Sequence, residues 1–200
     1  MFKVNILLFD DFETLDVFGP VEIFGVRQDL FEIEYISLSG YMIQSAQKAK
    51  IKSKIFRKGD EEKAILLIPG GPGTRNRVDD VRFIEYVKKM ADECDYVLSV
   101  CTGAALLAKA GLLNGKHATS NKRAFDWVMT QGPDVQWVKK ARWVVADQFY
   151  TSSGVSAGMD MTLAFVEELL GYDEAIAISN RIEYRWNQDA SDDPFAALYE

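Results

Sequence analysis

An α/β fold on a mostly parallel sheet is what this sequence predicts, and three observations carry the prediction. Short runs rich in aliphatic and aromatic residues, at Lys3 to Phe9, Phe31 to Leu38, Ala64 to Ile68 and Tyr96 to Val100, have strand length. Segments between them show helical spacing, as at Val81, Ile84, Val87 and Met90. Two of the runs end directly in small-residue turns, Pro69-Gly70-Gly71-Pro72-Gly73 after Ile68 and Cys101-Thr102-Gly103 after Val100. Strands that alternate with helices need crossover connections, which leave the strands parallel. No internal repeat, linker or low-complexity stretch interrupts the pattern, so residues 1–200 read as one domain, with a core from about 3 to 186 and an acidic tail at 187–200.

In chain order, the first strand (Lys3 to Phe9) leads into the polar connection from Asp10 to Thr14. Leu15 to Val26 reads as a helix broken or restarted at Gly19-Pro20, because proline suits a first helical turn. Phe31 to Leu38 sets Ile33 and Tyr35 against Glu32 and Glu34, the period of a strand. Strand-like pieces fill Tyr41 to Arg57, where Lys48, Lys50, Lys52 and Lys54 recur opposite Ala49, Ile51, Ser53 and Ile55. A lysine-faced edge hairpin accounts for that alternation, since charge along an edge deters strand-to-strand aggregation. Gly59 to Lys63 is a charged loop before the apolar strand Ala64 to Ile68, and Val81 to Glu93 is a helix. Ala104 to Ala110 consists of strong helix formers stopped at Gly111. Short strands are expected at Lys116 to Thr119, Val135 to Val138, Trp143 to Ala146 and Tyr150 to Ser152, and a short helix at Ala124 to Met129. Helices from Val155 to Leu170 and Asp173 to Tyr184 follow, and the tail from Asn187 carries Phe195 and Leu198, which either dock or fray.

Composition bounds the function. A chain of 200 residues, 48% hydrophobic and 26% charged, buries a full core without disulfide or metal staples. No run of eighteen apolar residues is present to span a membrane, and the apolar N-terminus is too short for a signal sequence. Two cysteines, Cys94 and Cys101, form neither a disulfide framework nor a metal motif, so a reducing, cytoplasmic setting is expected. The net charge of −7 argues against nucleic acid or an anionic membrane as the main partner and leaves a small molecule. With a single histidine, any histidine-base mechanism has to use His117.

The chemistry concentrates at Ser99-Val100-Cys101-Thr102-Gly103, a small-x-nucleophile-x-Gly pattern between a buried strand and a helix. Such a turn presents one side chain at the carboxyl end of the sheet, and Gly103 lets the backbone approach without a Cβ clash. The first helical N–H groups are expected to face the sulfur and lower its pKa. The alternative is an inert core cysteine, free cysteine being among the most buried residue types. Gly70 and Gly71 end another strand, and the N–H of Gly71 with that of Thr102 is a candidate oxyanion holder; a tight turn that merely ends the strand is the other reading. Asp16 sits among apolar residues in Leu15-Asp16-Val17-Phe18-Gly19-Pro20. It is either a helix N-terminal acid favoured by the dipole, or a buried carboxyl whose raised pKa lets it carry a proton. Cys94, flanked by Asp92, Glu93 and Asp95, reads as structural, and the four tryptophans as core or interface bulk.

Together these motifs, with Gly111-Leu112-Leu113-Asn114-Gly115-Lys116 and the stretch from Thr151 to Asp160, resemble the ThiJ/PfpI family of the class I glutamine-amidotransferase-like superfamily. The resemblance implies a flavodoxin-like three-layer sandwich with a nucleophile elbow, and homodimers. Within the family the chain is most similar to the isocyanide hydratase branch, where Asp replaces the Glu common elsewhere and the elbow reads Cys-Thr-Gly. Carried over, Cys101 is the nucleophile, Asp16 its acid partner and Thr102 a neighbour of sulfur and substrate, while Gly71 and Gly70 belong to the oxyanion or substrate-binding site. Asn121 stands in Thr119-Ser120-Asn121-Lys122 where many relatives carry histidine, which disfavours protease, deglycase and glyoxalase readings. Amidotransferase activity is excluded, because no His-x-Glu follows the elbow.

The implied reaction is hydration of an isocyanide to an N-substituted formamide through a covalent thioimidate, which needs no metal or organic cofactor. Two rivals stand beside it. One is a redox or stress sensor whose Cys101 is oxidised without turnover. The other is a ligand-sensing module like those fused to helix-turn-helix regulators, disfavoured here by the absence of a basic helical tail.

Overall fold

Val4 to Leu7 and Ile65 to Ile68 are buried without alternation, as strands covered on both faces require. The structure, a computed structural model, describes residues 1–57 and 63–199. The first half of the chain forms β1 (Phe2–Leu7), α1 (Thr14–Gly25), β2 (Phe31–Ile36), β3 (Met42–Gln44), β4 (Lys50–Lys52), β5 (Lys63–Ile68), α2 (Thr74–Arg77) and α3 (Val81–Asp92). Then come β6 (Tyr96–Ser99), α4 (Gly103–Lys109), β7 (His117–Ala118), α5 (Phe125–Met129), β8 (Gln136–Trp137), β9 (Trp143–Ala146), β10 (Phe149–Ser152), α6 (Ala157–Leu170), α7 (Tyr172–Arg181) and a 3-10 turn at Ala196–Tyr199.

The main sheet runs β2-β1-β5-β6-β10-β9, with every pairing parallel except the β9–β10 hairpin. α1 packs on α6 and α6 on α7, while α2, α3 and α5 gather on α4, giving a layer of helices on either side of the sheet. This is the expected three-layer α/β architecture. Its parallel order brings the carboxyl ends of β1, β5, β6 and β10 together, where sites form in open α/β sheets.

Some local expectations need correction. α1 runs unbroken through Gly19 and Pro20 instead of restarting there. A Cβ on Gly19 would lie 2.7 Å from Met159 Cγ, so the glycine serves the close approach of α6 and not a helix boundary. α6 starts at Ala157, because Val155 adopts φ +43° and stays outside the helix. The lysine hairpin forms from β3 and β4, with Lys50 and Lys52 exposed, but Ile55 is exposed beside them and breaks the expected alternation. Of the charged loop expected at Gly59 to Lys63, residues up to 62 lie outside the described residues, and Lys63 already opens β5.

The tail docks. The N–H of Asp193 donates to Lys140 O at 2.8 Å, and its buried carboxylate lies 3.8 Å from Lys122 Nζ and 3.9 Å from Arg142 Nη1. Among the described residues no helix is long and apolar enough to cross a membrane.

Candidate active site

Cys101 follows β6 by one residue, Val100, and adopts φ +58°, a left-handed conformation that costs a residue with a Cβ about 1–2 kcal/mol. Its neighbours hold it there. Its N–H donates to Ser153 O at 3.1 Å and its carbonyl accepts from Ser120 Oγ at 2.7 Å. Gly103 is obligatory, since a Cβ there would sit 2.4 Å from Ile68 O. The elbow read from the sequence is therefore present, with the side chain at the carboxyl edge of the sheet.

Asp16 reaches the same point from the first turn of α1. It is fully buried, and its Oδ2 accepts from the Gly70 N–H at 2.8 Å. Its Oδ1 is buried with no geometrically satisfied hydrogen bond among the described residues, while the carboxyl faces the Cys101 side chain. Burial pushes the Asp16 pKa up to about 7; the Gly70 N–H opposes the rise, nearby Glu13 adds to it and the Cys101 side chain opposes it.

The thiol does not follow the expectation of a lowered pKa. Burial and the Asp16 charge push Cys101 up, against the N–H groups of Thr102 and Val155 and the Thr102 hydroxyl. Desolvation and a like charge outweigh the few donors at the start of a short helix. The two groups titrate as a coupled pair, each charge raising the cost of the other.

Each remaining sequence candidate reaches this region, with a role of its own. Gly70 has its N–H on Asp16, and a Cβ there would come within 2.5 Å of Thr102 N. Gly71, at φ +122°, has its N–H on Thr102 Oγ1 at 3.0 Å, so it lines the cleft while its donor points at protein. Thr102 Oγ1 also receives Thr74 Oγ1 at 3.2 Å. Asn121 lines the cleft, its Oδ1 accepting from the Ala124 N–H at 3.0 Å and its Nδ2 pressed against Gly154, where a Cβ would lie 2.3 Å away. His117 is exposed on β7 and takes no part in lining the cleft.

The cleft above the sulfur measures about 430 Å³. Among its lining residues, sequence reasoning missed Glu13, Arg75, Arg123, Ala124 and Val155 as parts of the site. Arg75 lies over the Trp127 ring at 4.4 Å, so this tryptophan, which packs against the core as expected, also orients a charged side chain at the cleft. Val155, a β-branched residue at positive φ, is strained and aims its N–H at the sulfur. Its only sequence signal was Gly154 just before a helix, which also marks an ordinary helix start.

A thiol at a nucleophile elbow, paired with a buried carboxyl at the carboxyl edge of a parallel sheet, defines a class of cysteine-centred α/β proteins. The chain belongs to the DJ-1/PfpI family, whose model matches residues 2–168. It is 28% identical over 182 residues to the isonitrile hydratase of Pseudomonas putida, across 91% of this chain and 78% of that protein. A deglycase of Pyrococcus horikoshii is 26% identical over 159 residues, across 78% of this chain and 92% of the relative. The crystal structure of a ThiJ/PfpI family protein from Pseudomonas syringae matches with a TM-score of 0.81 at 27% identity, covering 96% of this chain and 77% of that one.

Proposed function

We propose that this protein is a cytoplasmic, cofactor-independent hydro-lyase, working as a homodimer, that adds water to an isocyanide R–N≡C and releases the formamide. The observation that carries the reading is the Asp16 carboxyl, buried against Cys101 with one oxygen unsatisfied and a pKa near 7. The sulfur attacks the terminal carbon while Asp16 takes the thiol proton and delivers it to that same carbon, leaving a thioimidate, S–CH=N–R. Water then adds to the carbon, its proton passing through Asp16 to nitrogen. The C–S bond breaks, the hydroxyl proton returns to sulfur through Asp16, and HC(=O)–NH–R leaves. One nucleophile and one proton carrier suffice.

The similarity to isonitrile hydratase supports this choice, as does a cleft that offers Asn121 and no histidine. A sensor is the weaker reading. Peroxide reacts with exposed thiolates, whereas Cys101 is 7% exposed and its thiol is pushed up. The test is formamide production from a panel of isocyanides, with methylglyoxal as the comparison substrate. Wild type should yield formamide and Cys101→Ser should lose on the order of 10³-fold or more in kcat. Conversion of methylglyoxal to lactate with no formamide from any isocyanide would reject the assignment.

A further inference from the structure

Beyond the cleft lies a second chamber of about 260 Å³ that shares Asn121, Arg123 and Val155 with it. Its far wall is the docked tail, through the rings of Phe195 and Tyr199, which are 51% and 44% exposed. Exposed aromatic rings on a free tail would move with it. Here the backbone that carries them is fixed: Asp193 is buried between Lys122 and Arg142, the Phe195 N–H donates to Asp193 Oδ1 at 3.0 Å, and Tyr199 O accepts from Lys139 Nζ at 2.7 Å.

The chamber's charge is as informative as its shape. Lys122 lines it yet is 3% exposed, with its Nζ turned to Thr119 Oγ1 at 2.8 Å and Ala141 O at 2.7 Å. Its ammonium is thus engaged by protein. Gly154 contributes no side chain, and a Cβ there would displace Asn121 from the passage between the two spaces. What remains for a ligand is the Val155 side chain, two rings on a tethered backbone, and a polar margin of Asn121, Arg123, Ser153 and Ser156. A dry apolar cavity of about 150 Å³ holds benzene, so this volume admits a phenyl or cyclohexyl group.

We infer that the second chamber is the subsite for the substrate's nitrogen substituent and that Phe195 and Tyr199 are specificity-determining residues, selecting a flat or cyclic hydrocarbon group over a methyl. The identity of the reacting group rests on the isocyanide reading above; the subsite can be tested without it.

The test compares alkylation of Cys101 by iodoacetamide and by N-benzyliodoacetamide, followed by peptide mass to separate Cys101 from Cys94. Wild type should prefer the benzyl reagent by at least about fivefold, and Phe195→Ala/Tyr199→Ala should lose that preference, as removal of aromatic packing predicts. Phe195→Leu, which keeps apolar bulk, should retain most of it. In turnover, kcat/KM for benzyl isocyanide should fall about tenfold in the double variant while methyl isocyanide stays within about twofold. An unchanged preference, or equal slowing of both reagents, overturns the subsite. So does an unchanged preference accompanied by loss of a dimer, which would place the rings at an interface between copies. If no isocyanide is hydrated but the labelling preference depends on the rings, the subsite stands and the reaction assignment falls.

Discussion

Asp16 and Asp160 are both fully buried, yet their hydrogen-bond partners differ sharply. Asp160 receives Arg142 Nε at 2.6 Å, Tyr184 Oη at 3.0 Å and the Asn187 N–H at 2.9 Å, so both its oxygens are engaged. Asp16 receives a single backbone N–H. Burial raises both, but Asp160 has a guanidinium and two further donors to stabilise its charge. One carboxylate is held by its partners and ties α6 to the strand hairpin and the start of the tail. The other is left under-satisfied beside a thiol. Burial alone therefore does not mark a functional acid; burial without partners does.

Five experiments break or sharpen that contrast. The largest effect belongs to Asp16→Asn, which keeps the acceptor for Gly70 and removes the proton: kcat should fall about 10²- to 10⁴-fold while the circular dichroism spectrum stays native. Near-normal turnover would remove Asp16 from the mechanism. Asp160→Ala should do the reverse, costing about 3–5 kcal/mol of stability in urea titrations by stranding buried Arg142, and a loss below about 1 kcal/mol would show the network to be dispensable.

The pH dependence of stability separates the two acids again. Asp16 is raised from 3.8 to about 7 on folding, so the native state binds the extra proton and loses stability as pH rises across that window. Asp16→Asn lacks this dependence, and its stability relative to wild type should gain on the order of 4 kcal/mol from pH 4 to pH 8. A gap that does not change with pH would place the Asp16 pKa at its ordinary value. Thr102→Val strands the Gly71 N–H and should cost about 1–3 kcal/mol in thermal unfolding; no loss would mean that the donor finds another acceptor. Smallest is Asn121→His. Hydration should stay within about twofold, since general acid–base work is already assigned to Asp16, and a large rise or collapse would give position 121 a part in proton transfer.

Much of this site was legible because its signals are local. Small residues around Cys101 announce a turn that only small residues permit, and a carboxylate inside an apolar helix face announces burial. What stayed hidden depends on three-dimensional placement. Gly70 and Gly71 look equivalent in sequence, yet one amide turns to Asp16 and the other to Thr102. The direction of the thiol shift follows first from the burial of the sulfur and then from the Asp16 charge beside it, and no spacing along the chain reveals either. The docking of the tail depended on a buried Asp193 meeting two cations from separate segments.

The bond from the Cys101 N–H to Ser153 O carries a consequence for how the protein is made. The ribosome delivers the cysteine before the segment that locks its backbone and contributes the Val155 N–H. At about 5–20 residues per second, that interval lasts roughly 3–10 s. Until it ends, the thiol belongs to an unfinished chain, solvated and titrating near the free value of about 8.5. Cys101 is then more open to passing oxidants and electrophiles than at any time after folding, so chemical damage at this position should be concentrated in newly synthesised molecules.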